Sequence, residues 1–141
     1  MTSSSSTALA NLANIGRLKL EPPDSIEREN LLRSAELRIR DAQRGSLSLE
    51  SKFDLAYNAA HAAALAALRA HGYRSESRFL VFQCLEHTVG LAPANWRLFD
   101  LAHKKRNLAE YEGFLDITAG FVDELIQQSV LLIALARSLS A

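Results

Sequence analysis

The chain has 141 residues, 48% hydrophobic and 23% charged, with 16 Lys and Arg against 16 Asp and Glu. These values predict one globular domain with a sizeable core, and the balanced charge excludes a strongly basic nucleic-acid-binding protein, so that any contact with nucleic acid requires a local patch. Cys84 is the one cysteine, so we expect no internal disulfide. The N-terminal residues lack the pattern of a signal peptide, and no apolar run reaches the roughly 20 residues that cross a membrane. We therefore expect a cytoplasmic protein without membrane contact.

The first half of the chain predicts two helices after a flexible start. Residues 1–23 contain a Ser-rich stretch and are expected to be largely disordered, whereas residues 24–141 are expected to form the folded domain. The first helix begins at Asp24 or Ser25 and ends near the RGS sequence at 44–46. The second begins at Ser48 and is unusually rich in alanine, which favours helix and close approach of a neighbouring helix.

The second half predicts three further helices. One spans residues 75–90, one begins at Pro93 and ends at Gly113, and one begins near Thr118 and continues through an aliphatic stretch. No run alternates between apolar and polar residues as a strand would. We therefore predict an all-α fold, a single up-and-down antiparallel bundle of about five helices.

The sequence HKKRNLAEYEG at 103–113 is the first candidate site. On a helix, His103, Asn107 and Tyr111 lie one turn apart on one face, and Arg106 lies beside them. The planar guanidinium of arginine suits a phosphate because it donates paired, charge-assisted hydrogen bonds. We interpret these four residues as candidate catalytic or phosphate-contacting groups.

The same stretch has a simpler interpretation. Lys104 and Lys105 are candidate ligand-binding cations, but they could equally be solvated. Arg106 could pair with Glu110 one turn later, and Tyr111 could be a packing residue with its hydroxyl at the surface.

A second candidate site is the polar stripe of DLAYNAAH at 54–61, on the alanine-rich helix. Such a stripe is either the solvated face of the helix or a buried network whose hydrogen bonds must be satisfied. If the stripe faces the helix that begins at Pro93, Asp54 could orient Arg106 or His103. The candidate ligand-binding residues of the stripe are Asp54, Tyr57, Asn58 and His61.

Metal and cofactor signals are weak. Cys84 and His87 are three positions apart, as are Asp100 and His103, but neither pair is accompanied by a second pair at ligand spacing. No glycine-rich phosphate loop or nucleophile elbow occurs. We expect no bound metal and no cofactor.

Two of these stretches also carry a family resemblance. FDLAYNAAHAAALAALRAHGYR and RNLAEYEG resemble prokaryotic HEPN (higher eukaryotes and prokaryotes nucleotide-binding) domains, over about residues 25–137. The resemblance implies an all-α up-and-down bundle, usually a homodimer. In many members a motif of Arg, a polar residue and, after a gap of four to six residues, His forms a metal-independent ribonuclease site, with two copies meeting across the dimer cleft. Members occur in toxin–antitoxin and phage-defence systems, often beside a nucleotidyltransferase partner.

The motif is incomplete in this chain. Arg106 and Asn107 match its first two positions, but Tyr111 stands where histidine is expected. Histidine suits proton transfer because its pKa is near neutrality, whereas tyrosine, with a pKa near 10, is a poor base at pH 7. His103, one turn before Arg106, could supply an imidazole, although the family pattern does not place one there.

Three functions stay open on the sequence. The chain could be a module that binds RNA, a nucleotide or a protein such as a nucleotidyltransferase or an antitoxin. It could be a metal-independent endoribonuclease using Arg106 with Tyr111 or His103, or a purely structural dimerisation bundle. A homodimer is expected in each case, because the alanine-rich helix and the aliphatic last helix offer more apolar surface than one narrow core stripe requires.

Overall fold

The computed structural model describes residues 4–139, with side chains from residue 7 onward. It is mostly helical, which confirms the all-α prediction. The elements are α1 (Ser4–Asn14), β1 (Lys19–Leu20), α2 (Ser25–Ala42), α3 (Leu49–Ala70), β2 (Tyr73–Arg74), α4 (Arg78–Gln83), α5 (Leu85–Thr88), α6 (Pro93–Glu112) and α7 (Ala119–Arg137).

The ends of the long helices follow the predicted local signals. The Asp24 carboxylate accepts hydrogen bonds from two backbone N–H groups of α2, and Ser48 and Thr118 accept one each at the starts of α3 and α7. Pro93 lies in the first turn of α6, and Gly113 ends that helix with φ of 68°, a conformation that favours glycine. The predicted helix over 75–90 is instead two short helices, because the chain turns at Cys84.

The N-terminal segment differs from the prediction of disorder before residue 24. Residues 1–3 lie outside the described residues, but residues 4–14 form α1, and Leu9 and Leu18 are buried. The prediction that the chain has no strand was also wrong, since β1 pairs antiparallel with β2, with Lys19 opposite Arg74. These two apolar side chains and the short ladder attach the segment to the domain, so the packed unit begins before residue 24.

The alanine-rich helix α3 lies at the centre of the fold, packed against α2, α7, α4 and α6. Its alanines from Ala59 to Ala67 are all buried, so their small side chains allow neighbouring helices to approach closely on several sides. Burial inside one chain therefore accounts for the apolar surface of α3. Val130 and Leu131 on α7 remain exposed.

α7 is the described helix whose length and composition would allow it to span a membrane, with a mean hydropathy of 1.4. It packs against α3 and α2, and Leu125, Leu132 and Ala136 are fully buried there. One face of α7 therefore belongs to the core of the helical domain.

A buried arginine connects the end of α3 to the segment before α2. Arg69 is only 1% exposed, and its Nε donates to the Glu27 carboxylate at 2.6 Å. Its Nη1 donates to the Glu21 carbonyl at 2.9 Å and its Nη2 to the Pro22 carbonyl at 2.7 Å. Arg74 contacts both glutamates from the other side. We call Arg69, Arg74, Glu21 and Glu27 the Arg69 cluster.

Candidate functional site

The side chains of α3 and α6 meet at a tyrosine–histidine pair. The Tyr57 hydroxyl lies 2.8 Å from Nδ1 of His103, and the two rings are nearly parallel with centroids 6.3 Å apart. On the other side of the imidazole, the Asn107 amide donates to Nε2 at 3.1 Å. With Nε2 accepting, the neutral ring carries its proton on Nδ1 and donates it to the tyrosine oxygen. His103 is therefore held from both sides.

Two arginines lie against the ring of Tyr57. The guanidinium carbon of Arg106 is 5.2 Å from the ring centroid and that of Arg78 is 5.4 Å from it. Arg78 also donates to the Asn58 side-chain oxygen at 3.3 Å. Within residues 4–139, neither guanidinium has a carboxylate partner. Two positive charges thus converge on one aromatic ring, and in the part of the chain that the structure describes neither is in an ion pair.

A second histidine faces the same charges. His61 is half-buried on α3, with its ring edge-on to Phe82 at 5.9 Å between centroids. Burial, and then the charges of Arg78, His103 and Arg106, lower the pKa of His61 to about 4. Its imidazole is consequently neutral at pH 7.

The pKa of His103 is also lowered. Burial is the main cause, and the nearby cations Arg78, Arg106 and Lys104 act in the same direction, while the Asp100 carboxylate opposes them. Both imidazoles are therefore uncharged at neutral pH in the free protein, although each would take up a proton more readily beside a bound anion.

The lowered pKa of His61 predicts a pH-dependent stability. Between about pH 4 and pH 6.5 the unfolded chain binds more protons at this position than the folded protein, so the free energy of unfolding falls as the pH falls through that range. We expect urea unfolding at pH 4.5 and pH 7 to show this loss, on the order of 2 to 3 kcal/mol from this group. His61→Gln should remove that part of the pH dependence, and an unchanged slope in the variant would contradict the assignment.

A groove of about 450 Å³ lies beside the arginines, between α3 and the C-terminal half of α6. We call it the α3–α6 groove. Arg106 lines it and also faces Tyr57, so this residue stands between the groove and the histidines. The other lining residues used below are Glu50, Phe53, Asp54, Glu110 and Phe114.

Six of the candidate residues predicted from the sequence lie together around the Tyr57–His103 pair. The part of the polar stripe that faces α6 is a buried network at Tyr57, which is 0% exposed, and not a solvated face. The Asp54 side chain does not contact His103 or Arg106 by a hydrogen bond; its backbone carbonyl accepts from Asn58 at 2.8 Å, and its side chain lines the groove. The converging residues are Tyr57, Asn58, His61, His103, Arg106 and Asn107.

Three other candidates lie apart from this cluster. Lys104 pairs with Asp100 at 3.0 Å, and Lys105 donates to the Asp116 carbonyl at 2.9 Å. Tyr111, which stands where the motif has histidine, is 90% exposed. The alternative pairing of Arg106 with Glu110 does not form an ion pair in the described part of the chain.

Arg78 is the site residue that the sequence did not reveal. It lies at the start of α4, in a stretch whose composition does not distinguish it from a solvated surface arginine. Only the packing of α4 against α3 and α6 brings it to Tyr57.

The residues considered for metal binding do not converge. Among the described residues, no group of three or more His, Cys, Asp or Glu side chains could hold an ion. Burial raises the pKa of the Cys84 thiol to about 11, so it stays protonated at neutral pH and is a poor ligand or nucleophile.

Comparisons with known proteins found no counterpart. No protein-family model matches the sequence, no curated protein matches it, and no solved structure matches the fold.

Proposed function

We propose that this protein binds a phosphate-bearing ligand, an RNA strand or a nucleotide, at Arg78 and Arg106. The observation that carries the proposal is the convergence of two arginines on Tyr57 between two histidines, with no ion pair to either arginine among the described residues. Most charged side chains that converge in a folded protein are neutralised, because like charges repel. A bound phosphate would relieve that repulsion and accept charge-assisted hydrogen bonds from both guanidinium groups.

The neighbouring residues support an anion at this position. Asn107 and Asn58 orient the histidine and Arg78, respectively, through neutral amides. The net charge of the chain is zero, so affinity has to come from this local cluster and not from a general attraction to polyanions. The HEPN resemblance belongs to the same proposal, since Arg106 and Asn107 are its matching motif positions.

A binding titration with labelled single-stranded RNA tests the proposal. We expect Arg106→Ala and Arg78→Ala each to weaken binding about tenfold or more, because a hydrogen bond to a charged group contributes about 1.5–3 kcal/mol. Each variant should also reduce the slope of log affinity against log salt by about one. Arg97→Ala is the matched control, since Arg97 is an exposed arginine on the same helix. Equal losses of affinity in Arg97→Ala and Arg106→Ala would mean that general surface charge, and not this site, binds the RNA.

Cleavage of the bound RNA is the second candidate function, favoured by the two imidazoles. His103 would substitute for the histidine that the motif lacks, although it lies one turn before Arg106 and not at the motif position; Tyr57 and Asn107 hold its ring. When the 2′-hydroxyl of the RNA replaces the Asn107 amide at Nε2, this imidazole can take the hydroxyl proton, and the imidazolium so formed can protonate the leaving oxygen, which requires no metal. Tyr111, by contrast, is 90% exposed, and among the described residues no hydrogen bond joins it to the cluster.

The assembly is part of the proposal as well. A homodimer, a nucleotidyltransferase or antitoxin partner and a role in defence follow from the resemblance. Exposed apolar residues on α6 and α7, among them Leu101, Leu108 and Leu131, are available for such contacts. Light scattering at micromolar concentration distinguishes one chain from two.

A further inference from the structure

We propose that the α3–α6 groove holds a guanine base, so that the ligand is a guanine nucleotide or a strand with guanine at this position. The inference rests on the proposed function, because the phosphate attached to that guanosine would lie at Arg106. The phosphate site alone does not distinguish one base from another, and the groove would add that preference.

The groove has the size and position that a nucleotide requires. Its volume of about 450 Å³ lies within the range of small-molecule pockets, roughly 300 to 1,000 Å³. It opens directly beside Arg106, whose guanidinium also faces Tyr57 of the phosphate site. A base in the groove would therefore place its own phosphate on the arginine that the two regions share.

The carboxylates of the groove select a base and disfavour a second phosphate. Asp54 on α3 and Glu110 on α6 both line it, and Glu50 adds a third negative charge. Among the side chains of residues 7–139, none of these three forms an ion pair or a hydrogen bond with another. Their oxygens accept hydrogen bonds only, so they repel an anion and suit a ligand edge that carries donors.

Guanine is the base that matches these acceptors best. Its Watson–Crick edge presents two adjacent donors, N1–H and the N2 amino group, which fit the two oxygens of one carboxylate. Adenine and cytosine present one amino group beside an acceptor nitrogen, and uracil presents one N–H between two carbonyl oxygens. In those three bases an acceptor would face the carboxylate, which is unfavourable.

An aromatic side chain at the groove provides a stacking surface. Phe114 follows the left-handed Gly113 that ends α6, and it is 63% exposed although it lines the groove. Unstacked bases commonly pack on exposed aromatic rings, a contact that tolerates every base. Phe114 would thus contribute affinity, while Asp54 and Glu110 would determine the choice of base.

Binding of the four 5′-mononucleotides and of inorganic phosphate, measured by calorimetry, tests the proposal. We expect GMP to bind at least about tenfold more tightly than AMP, CMP or UMP. The double variant Asp54→Asn, Glu110→Gln should lose this preference and retain its affinity for inorganic phosphate. Glu112→Gln is the matched control, because Glu112 is an exposed glutamate on α6 that does not line the groove, and it should keep the preference.

The outcomes separate this inference from the proposed function. Equal binding of all four nucleotides, or a GMP preference that survives in the double variant, overturns the guanine assignment and leaves the phosphate site intact. Absence of binding by every nucleotide and by inorganic phosphate overturns both. A preference for GMP in the wild-type protein, together with weaker binding of all four nucleotides by the Arg106→Ala variant, supports both the guanine assignment and the phosphate site.

Discussion

Replacing Arg69 with methionine should lower the free energy of unfolding by about 2 to 3 kcal/mol, because it removes a buried guanidinium that donates hydrogen bonds to a carboxylate and to two backbone carbonyls. Methionine keeps much of the length and apolar volume of the arginine stem, so the loss reports the guanidinium and not an empty cavity. Urea unfolding followed by circular dichroism at pH 7 measures the change.

The cost arises from what the guanidinium contacts. Arg69 is 1% exposed and donates to the Glu27 carboxylate and to the carbonyls of Glu21 and Pro22. The carboxylate and the two carbonyls would lose these hydrogen bonds, and water would replace them only partly. Glu27 would keep Arg74 as a partner, which limits the loss.

Arg137→Met is the matched control for this prediction. Arg137 on α7 also joins two glutamates, Glu29 and Glu36, with distances of 2.8 Å to each. Its side chain is 38% exposed, and both partners are more exposed than that, so water screens the interaction and replaces it. We expect a loss of no more than about 1 kcal/mol. Similar losses of unfolding free energy in the two variants would mean that the burial of Arg69 does not strengthen its interactions.

The second candidate function predicts metal-independent RNA cleavage that depends on His103. The 2′ oxygen would attack the adjacent phosphorus, and the bond from phosphorus to the 5′ oxygen would break, giving a 2′,3′-cyclic phosphate and a 5′-hydroxyl. The proton leaves the 2′-hydroxyl and one is added to the 5′ oxygen, so no oxidant or metal is required. Arg106 would stabilise the negative charge on the phosphate oxygens.

We expect His103→Gln to lower the cleavage rate by roughly 10²- to 10⁴-fold in EDTA, the usual contribution of a positioned acid or base. Its RNA affinity should change little, since the arginines remain. Arg106→Ala should reduce both affinity and rate. Tyr111→Phe should leave the rate within about twofold, because the hydroxyl lies away from the cluster and a surface substitution seldom perturbs a distant site.

Each result has a defined meaning for the site. A loss in Tyr111→Phe as large as that in His103→Gln would contradict the assignment of His103 and restore the tyrosine of the motif position. Absence of cleavage by the wild-type protein, with RNA binding retained, would leave a binding module without catalysis. Circular dichroism and the urea midpoint of each variant distinguish a chemical loss from unfolding.

The sequence by itself determined the helical class and the ends of the long helices. Asp24, Ser48 and Thr118 cap helices, and Gly113 ends one, because each acts on backbone groups within a few residues of itself. His103 and Asn107 are one helical turn apart on α6, and this spacing brings their side chains close enough for the hydrogen bond between them.

The failed predictions concern contacts between distant segments. The Ser-rich start led to the expectation of disorder over residues 1–23, yet residues 4–14 form a helix and Leu9 packs into the domain. Nothing near Arg69 marks it as buried, since arginine is rarely inside a protein. Its partner Glu27 is 42 residues away, and only the packing of α2 on α3 brings them together.

The tertiary structure alone decided which side chains share the candidate site. Tyr57 and His103 are 46 residues apart, and Arg78 reaches the same ring from a third helix. A polar residue on an amphipathic helix is buried or solvated according to what packs over it, and periodicity within that helix does not contain this information. Helices form from contacts within a turn or two, whereas a site formed by three helices depends on how their side chains interlock.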